Sequence, residues 1–240
     1  SEVLIMAVVG GPDPIVTDGL VFIVDPLNKN SYISGSIPVN DMLSNTTGSF
    51  KGTVGWNEAG RAFEMNGSNT YIEFQQTNKL KFTGDFCIGA WYFNQDVSGL
   101  SNGGHYDRMW QFGQTYQLNS LTVNTRQHSG TTGYFQLRNN NTNVVLTTGN
   151  HQTQNTWQYL VIQRSGTNLQ SYFNGVYDTQ ATYTTDVSGY GDYSFTYGAE
   201  SDGDNSSEWD GYLSQLHMYN RALTAEEILQ NYNAIKARFE

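Results

Sequence analysis

The sequence has little cysteine, little charge and little basic character, and each shortage excludes a class of protein. Cys87 is the one cysteine among 240 residues, so no internal disulfide can form. It lies in an apolar strand pattern, which predicts a buried, unreactive thiol. Charged residues make up 14% of the chain, and 12 basic against 22 acidic residues give a net charge of -10. This balance argues against a surface for nucleic acid or for an anionic membrane.

A long apolar run is also missing. Residues 3–9 (VLIMAVV) are apolar, but the run is too short to span a bilayer, and we expect no membrane insertion. It lacks the basic flank and the small-residue cleavage site of a signal peptide, which argues against export by the general secretory route. We therefore expect residues 1–17 to form an N-terminal strand or tether, and residues 18–240 to form a single domain.

What the sequence does have is a succession of short strand patterns separated by turns rich in Asn, Gly and Ser. Residues 62–74 predict a hairpin, because two alternating segments flank the Gly-containing loop 66–69. Residues 85–94 (DFCIGAWYFN) are apolar on both faces, as expected of a central strand. Further strand patterns occupy Leu20–Val24, 109–112, 116–123, 134–138, 156–164, 169–173 and Phe195–Tyr197.

One amphipathic helix is predicted, and it follows the last strand pattern, residues 211–219. Thr224 is a capping residue, and Glu227 three positions later completes a capping box. Leu223 and Ile228 form a hydrophobic staple across the start of the helix. Many short strands with one terminal helix predict an all-β fold, a two-sheet antiparallel jelly-roll β-sandwich with a short C-terminal α-helix.

Four segments together resemble the concanavalin A-like, laminin-G-like jelly-roll superfamily, over residues 18–239. They are Phe63…Asn66-Gly67…Tyr71-Ile72, Asp85-Phe86…Trp91, Trp157…Arg164-Ser165-Gly166…Asn174-Gly175, and Gly211-Tyr212-Leu213…Glu227-Ile228. The tail YNRALTAEEILQNYNAIKARF looks especially like laminin-G-like domains in structural proteins of tailed bacteriophages, notably marine and cyanobacterial ones. The motifs themselves suit structural roles. Asn-Gly pairs fit turns, and Trp91 and Trp157 are bulky enough to fill the gap between two sheets.

The acidic loop 200–208 (ESDGDNSSE) is the metal-like cluster of the sequence. Alternate oxygen ligands in a flexible loop suit calcium, and Asp202, Asp204, Asn205 and Glu208 are the candidate ligands. The resemblance supports the idea, since some members of the superfamily bind calcium at the loop edge of the sandwich. The alternative is a solvated acidic loop without metal.

Glu200-Ser201-Asp202 also resembles the carboxylate strand motif of glucanases that share this fold. Retaining glycoside hydrolysis needs two carboxylates on one strand face, about 5 Å apart. Here Ser201 and Gly203 replace the apolar spacers and Asn205 follows Asp204, so the acid–base pair is incomplete. The four histidines show no metal-ligand spacing. We therefore expect no enzymatic activity, with a glucanase as the weakest alternative.

Aromatic residues in predicted loops are the remaining signal, because flat rings beside neutral hydrogen-bonding groups suit a sugar ligand. The candidate glycan-binding residues are Tyr106, Trp110, Tyr190, Tyr193 and Trp209. An equally weighted interpretation is that these rings anchor long loops or contact another subunit.

These features predict a non-enzymatic phage virion protein, either a capsid decoration or a tail adhesive protein. In one form of the hypothesis, this protein also binds glycans. The expected partners are other virion proteins, host cell-surface glycans and further copies of the same chain, and the expected location is the virion, assembled in the host cytoplasm. The alternative is a carbohydrate-binding module of a bacterial surface protein, located outside the cell. The sequence decides neither the glycan nor the position in the virion.

Overall fold

The protein folds into two antiparallel β-sheets packed face to face, with one α-helix on the outside. The structure is a computed structural model that describes residues 13–34, 38–57, 61–75, 77–95, 107–113, 120–127, 133–139, 142–145, 153–188, 194–200 and 208–240. Within these ranges, the strands in chain order are β1 (Leu20–Val24), β2 (Val39–Asn40), β3 (Thr47–Lys51), β4 (Gly55–Asn57), β5 (Ala62–Asn66), β6 (Tyr71–Phe74), β7 (Phe86–Asn94), β8 (Arg108–Phe112), β9 (Leu121–Gln127), β10 (Gly133–Asn139), β11 (Thr142–Val145), β12 (Trp157–Ser165), β13 (Asn168–Phe173), β14 (Val176–Thr182), β15 (Phe195–Tyr197) and β16 (Asp210–Tyr219). The α-helix is α1 (Ala225–Lys236), and a single 3₁₀ turn covers Asn78–Leu80.

The first sheet has the strand order β14-β13-β12-β7-β16-β5-β4. Strand β1 also belongs to it and pairs with the second half of β16, on the side that β5 occupies along the first half. The second sheet has the order β11-β10-β9-β8-β15-β6-β3-β2. The pairs between these strands are antiparallel, so the predicted all-β sandwich with a short C-terminal helix is confirmed.

Strand β7 is buried on both faces, as its sequence predicts. Phe86 and Ile88 point into the core between the sheets, whereas Cys87 and Trp91 point to the outer face of the first sheet. Burial of Cys87 raises the pKa of its thiol well above the ordinary value, as expected of an unreactive cysteine.

Helix α1 covers the outer face of the first sheet. Thr224 and Glu227 form the predicted capping box, with the Glu227 N–H donating to Thr224 Oγ1 at 3.2 Å and the Thr224 N–H donating to Glu227 Oε2 at 2.8 Å. Ile228 and Ile235 are buried against the outward side chains of the sheet. The first sheet is therefore the middle layer between a helix and the second sheet.

The N-terminal segment crosses this outer layer. The Val16 N–H donates to Asn231 Oδ1 at 2.8 Å, and the Val16 carbonyl accepts from the Tyr219 hydroxyl at 2.9 Å. Residues 1–12, the larger part of the expected strand or tether 1–17, lie outside the described residues.

Two expectations about strands are wrong. Residues 62–74 do not form a hairpin, because β5 pairs with β4 and β16 in the first sheet while β6 pairs with β3 and β15 in the second. The turn between them is instead a corner, organised by Asn66 Oδ1, which accepts from the N–H groups of Ser68 and Asn69.

Trp91 and Trp157 do not fill the gap between the sheets. Both belong to the outer face of the first sheet, where α1 and the residues after it cover them. The gap is filled instead by fully buried rings such as Phe22, Phe74 and Phe195, which meet at centroid distances of 5.2 to 5.9 Å.

Candidate functional site

Three long connections leave the same end of the sandwich. They join β7 to β8, β11 to β12, and β15 to β16, and most of their residues lie outside the described ranges. Their anchor points lie close together: the Gln95 N–H donates to the Asp210 carbonyl at 3.3 Å, and the Asn155 N–H donates to the Asn94 carbonyl at 2.9 Å. Three connections of 11 to 13 residues therefore meet at this end, and loops held on a rigid scaffold are where binding residues often lie.

A row of aromatic side chains borders this end on the outer face of the first sheet. Trp157, Phe93 and Tyr212 lie side by side on β12, β7 and β16, because the strand register pairs Trp157 with Phe93 and Phe93 with Tyr212. The ring centroids of Phe93 lie 5.5 Å from Trp157 and 5.3 Å from Tyr212. All three side chains are partly exposed. We call these three residues the aromatic row.

Amide side chains form a polar rim beside the aromatic row. The Tyr212 hydroxyl accepts a hydrogen bond from Gln95 Nε2 at 2.8 Å and another from Asn57 Nδ2 at 3.2 Å. Because both of these bonds use oxygen lone pairs, the hydroxyl proton is left to donate to a ligand. Gln154 extends the rim and donates to the Gln95 carbonyl at 2.6 Å.

The segment after α1 packs against the row. The Phe239 ring stacks on Trp157 at a centroid distance of 4.2 Å and lies 4.7 Å from Trp91. Arg238 holds this segment in place, since Nη1 binds the Asp25 carboxylate at 2.6 Å and its carbonyl accepts from Arg61 at 2.7 Å. The Trp157 ring is therefore fixed on one side by the protein itself, which reduces the entropy that binding has to overcome.

A buried ion pair anchors two of the three connections. Arg108, at the start of β8, binds the Glu200 carboxylate at 2.5 Å, and their side chains are 4% and 6% exposed. The Glu200 carboxylate is therefore engaged with a cation inside the protein, and it is not a free acid or base at the surface. This burial argues against the glucanase interpretation of the Glu200-Ser201-Asp202 motif.

The structure corrects two of the five predicted glycan-binding residues. Trp110 and Trp209 are both 0% exposed and belong to the core between the sheets, so neither ring presents a face to a ligand. Trp110 lies in β8, within the strand pattern 109–112, and Trp209 packs edge-on against Tyr92 at 5.8 Å. The other three, Tyr106, Tyr190 and Tyr193, lie outside the described residues, and their role stays a prediction.

Calcium binding by the acidic loop likewise stays a prediction. Asp202, Asp204 and Asn205 lie outside the described residues, and Glu208 is 3% exposed. Within the described ranges, no group of three or more His, Cys, Asp and Glu side chains is placed to hold a metal ion. In the same ranges, no helix is both long enough and apolar enough to cross a membrane.

The aromatic row was not predicted from the sequence. In the structure, Trp157 lies on the same face of β12 as Tyr159 and Val161. A usable signal was present. Phe93, Trp157 and Tyr212 each stand at the end of a predicted strand next to a long polar connection. Aromatic residues at such strand ends are the ones that a loop-bearing edge leaves partly exposed.

Comparison with known proteins identifies a family and several structures with a similar fold. A family model described as the concanavalin A-like lectin/glucanases superfamily matches residues 66–229, which is more than half of the chain. No curated protein sequence matches the chain. Solved structures do match, at identities that show the fold alone.

Three of these structures are informative. The binding domain of Paraclostridial Mosquitocidal Protein 1 has a TM-score of 0.67 and 15% identity, over 90% of this chain and 52% of that one. Domain 4 of AbnA, a GH43 extracellular arabinanase of Geobacillus stearothermophilus solved with arabinotriose, has a TM-score of 0.66 and 15% identity, over 89% and 98%. A structure of botulinum neurotoxin type C, whose cell entry depends on two ganglioside molecules, has a TM-score of 0.64 and 15% identity, over 91% and 51%.

The chain thus spans about half the length of the two toxin chains and nearly all of the arabinanase domain. One assignment follows from three observations: the two sheets in jelly-roll arrangement, the C-terminal helix that covers one of them, and the family match over residues 66–229. The chain belongs to the concanavalin A-like lectin/glucanase superfamily.

Proposed function

We propose that this chain is a non-enzymatic glycan-binding module displayed on the virion of a tailed bacteriophage. The observation that carries the glycan-binding part is the aromatic row with its amide rim. Trp157, Phe93 and Tyr212 offer apolar ring surface, and Gln95 and Asn57 hold the Tyr212 hydroxyl with its proton free to donate. Apolar ring faces combined with neutral donors and acceptors suit the alternating apolar and hydroxyl surfaces of a sugar.

The structural neighbours support a binding role for a domain of this shape. One of them holds arabinotriose, and another belongs to a toxin whose cell entry depends on gangliosides. The burial of Glu200 in an ion pair with Arg108 supports a non-enzymatic role, because it removes one of the two carboxylates that glycoside hydrolysis needs.

The virion part of the proposal rests on the sequence of the C-terminal segment, residues 219–239, which resembles laminin-G-like domains in structural proteins of tailed phages. We propose that the chain is incorporated during assembly in the host cytoplasm, as a capsid decoration or a tail adhesive protein. Its partners there are other virion proteins and further copies of itself, and host cell-surface glycans are the ligand. A carbohydrate-binding module of a bacterial surface protein is the alternative.

Glycan-array screening followed by isothermal titration calorimetry tests the binding part. We expect Trp157→Ala to weaken binding of the best array ligand at least tenfold, since truncating an aromatic hot spot costs about 2 kcal/mol or more and about 1.4 kcal/mol corresponds to a factor of ten. Tyr212→Phe removes only the donating hydroxyl, and we expect a smaller loss. Tyr177→Phe is the matched control, because Tyr177 is 47% exposed on β14, away from the row.

Two results would overturn the binding proposal: no glycan bound by the wild-type protein, or full binding by a folded Trp157→Ala variant. The virion part is tested separately by mass spectrometry of purified virions and by electron microscopy of labelled particles. Reproducible absence of the polypeptide from virions would overturn that part and leave the bacterial surface module as the remaining interpretation.

A further inference from the structure

Strand β14 forms one edge of the first sheet, and this edge is open. Within the described ranges, β14 is the last strand on the β13 side, and no other strand pairs with its outer edge. An open edge presents a row of backbone N–H and C=O groups that can pair with a further strand. The other end strands are shorter: β1 has five residues, β11 four, β4 three and β2 two, whereas β14 has seven. The longest open edge therefore belongs to β14.

The sequence of β14 (VYDTQAT) does little to protect this edge. Proteins block open edges with lysine, with proline or with bulges that bend the strand. β14 contains neither lysine nor proline, and its one register shift against β13 lies between Ser171 and Tyr172. Beyond that shift, residues 179–182 pair regularly with β13. This second half of β14 is therefore a regular edge on which another strand can lie.

Apolar side chains are exposed on both faces of the sheet at the same edge. Val176 is 66% exposed and Tyr177 is 47% exposed. Val176 pairs with Phe173, whose ring belongs to the core between the sheets, whereas Tyr177 contacts Tyr172 on the outer face at a centroid distance of 5.4 Å. Leu229 of α1 is 44% exposed and extends this surface at the turn before β14. Water solvates an open backbone edge, but apolar surface is stabilised by a contact that removes it from water.

The charge of this edge fits a second copy of the same chain. The chain has a net charge of -10, so two copies repel each other wherever acidic surfaces meet. One of the seven residues of β14 is charged, namely Asp178. Two copies of an acidic molecule approach each other with least repulsion at such a nearly neutral edge, whereas a basic partner would gain little attraction there.

The side chains of β14 also suit pairing with its own copy. Gln163, Gln170 and Gln180 stand at one register across β12, β13 and β14, and Gln163 Nε2 donates to Gln170 Oε1 at 2.8 Å. Because an amide is both a donor and an acceptor, Gln180 on a two-fold axis can bond to its own copy and extend this series. The same axis sets Asp178 opposite Thr182, so that no like charges face each other directly.

We infer that β14 is a self-association edge, at which two copies of the chain pair antiparallel about a two-fold axis at Gln180. The first sheets of the two copies then form one continuous sheet. Because this axis is perpendicular to the sheet, both α1 helices and both aromatic rows lie on the same side of the dimer. Further copies of the chain are among the partners in the proposed function, and the dimer rests on the proposed function in this respect alone. A strand pair with few apolar side chains is a small interface, so we expect a weak dimer.

Sedimentation equilibrium of the full chain, between about 1 μM and about 1 mM, measures this association. We expect a monomer–dimer equilibrium for the wild-type protein. The double variant Val176→Lys/Gln180→Lys removes apolar surface and sets like charges opposite each other, so it should weaken dimerisation at least tenfold. The matched control is Leu43→Lys/Gln75→Lys, which changes an exposed aliphatic residue and an exposed glutamine beside β2 and β6. This control should dimerise like the wild type.

A cysteine placed on the axis tests the register. In an antiparallel pair, directly opposed Cβ atoms lie about 4.5 to 5.5 Å apart, which a small adjustment brings into disulfide range. We expect Gln180→Cys to form a covalent dimer under mild oxidation and Leu43→Cys to form none. The native Cys87 is 1% exposed, so the introduced thiol is the accessible one.

A wild-type protein that stays monomeric at about 1 mM overturns the inference and leaves the edge to a strand of another protein or to water. Undiminished dimerisation of Val176→Lys/Gln180→Lys overturns it too, because another surface then holds the copies together. A dimer in which Gln180→Cys forms no disulfide overturns the axis at Gln180. These measurements use neither a glycan nor a virion, so their failure is separate from a failure of the proposed function.

Discussion

His217 shows how a single residue organises the layer beneath helix α1. It is fully buried, its Nε2 lies 2.7 Å from the Tyr159 hydroxyl, and its Nδ1 lies 3.2 Å from Gln215 Oε1. Because an amide oxygen only accepts, Nδ1 carries the proton and Nε2 accepts from Tyr159, which makes the ring neutral. Gly89 lies beside this pair, where an added Cβ would stand 2.4 Å from His217 Nε2, so only glycine leaves room for the contact.

Burial lowers the pKa of His217 from 6.5 to about 3, and this gives stability a pH dependence. Below pH 6.5 the unfolded chain binds a proton that the folded chain excludes, so the free energy of unfolding falls as the pH falls from 6.5 toward 3. The slope from one such group is about 1.4 kcal/mol per pH unit. Above pH 6.5 the ring is neutral in both states and contributes no slope.

We expect His217→Gln to remove this slope while the carboxylates continue to titrate as before. Glutamine keeps one donor and one acceptor for Tyr159 and Gln215, whose partner Asp25 is paired with Arg238. Urea denaturation of both proteins at several pH values between about 4 and 6 provides the measurement, and the wild-type slope should be steeper by about 1.4 kcal/mol per pH unit. Parallel pH profiles would contradict the assignment.

At the scale of the element, helix α1 depends on its first turn. Thr224 caps the helix, and Arg221 binds the Glu227 carboxylate through Nη1 at 2.9 Å and Nη2 at 2.7 Å. The Arg221 contact lowers the pKa of Glu227, so the pair stays charged at neutral pH. One short segment thus joins the end of β16 to the helix.

We expect Thr224→Ala to lower the free energy of unfolding by about 1 kcal/mol, because the cap hydroxyl satisfies the Glu227 N–H. Thr53→Ala is the matched control, since Thr53 is exposed and has no hydrogen-bond partner among the described residues. Its effect should stay within about 0.5 kcal/mol. Chemical denaturation measures both, and equal effects for the two variants would argue against the capping role.

Elements with local signals could be predicted from the sequence. Three such elements are the capping box, the central strand with two apolar faces and the turn Asn174-Gly175. Each depends on a few adjacent residues, and the structure confirms all three. The partner of a strand is not a local property. The turn at 66–69 has the residues of a hairpin turn, yet it joins two sheets, because Asn-Gly chemistry serves a corner equally well.

The candidate site was harder to predict, because the exposure of a side chain, like the partner of a strand, is not a local property of the sequence. Trp110 and Trp209 stand beside polar residues in sequence, but β8 carries Trp110 inward and Trp209, just before β16, packs into the same core, whereas Trp157 faces outward. Whether an aromatic ring is covered depends on the strand register and on what packs over it, here α1 and Phe239. Edge strands such as β14, with a polar and mostly exposed sequence, also lack the apolar alternation that predicts a strand.

At the scale of the whole molecule, the predicted calcium site is open to a direct thermal test. Calcium bound to the folded state alone would stabilise it by about 2.7 kcal/mol at a free concentration of 100 times the dissociation constant. We expect excess calcium to raise the melting temperature and a chelator to reverse the rise. The double variant Asp202→Asn/Asp204→Asn should abolish the effect, and an unchanged wild-type melting temperature would argue against calcium.

The position of β16 in the first sheet has a consequence for how the protein is made. This strand pairs with β1, β5 and β7, so the centre of the sheet joins segments that are almost two hundred residues apart along the chain. During synthesis from the N-terminus, β7 emerges long before β16. Until β16 is made, the edge of β7 that pairs with it and both apolar faces of β7 lack partners. Such long-range pairing folds slowly. Nascent chains that stop short of residue 210 should therefore remain bound to chaperones, and stable folding should begin only after β16 and α1 have left the ribosome.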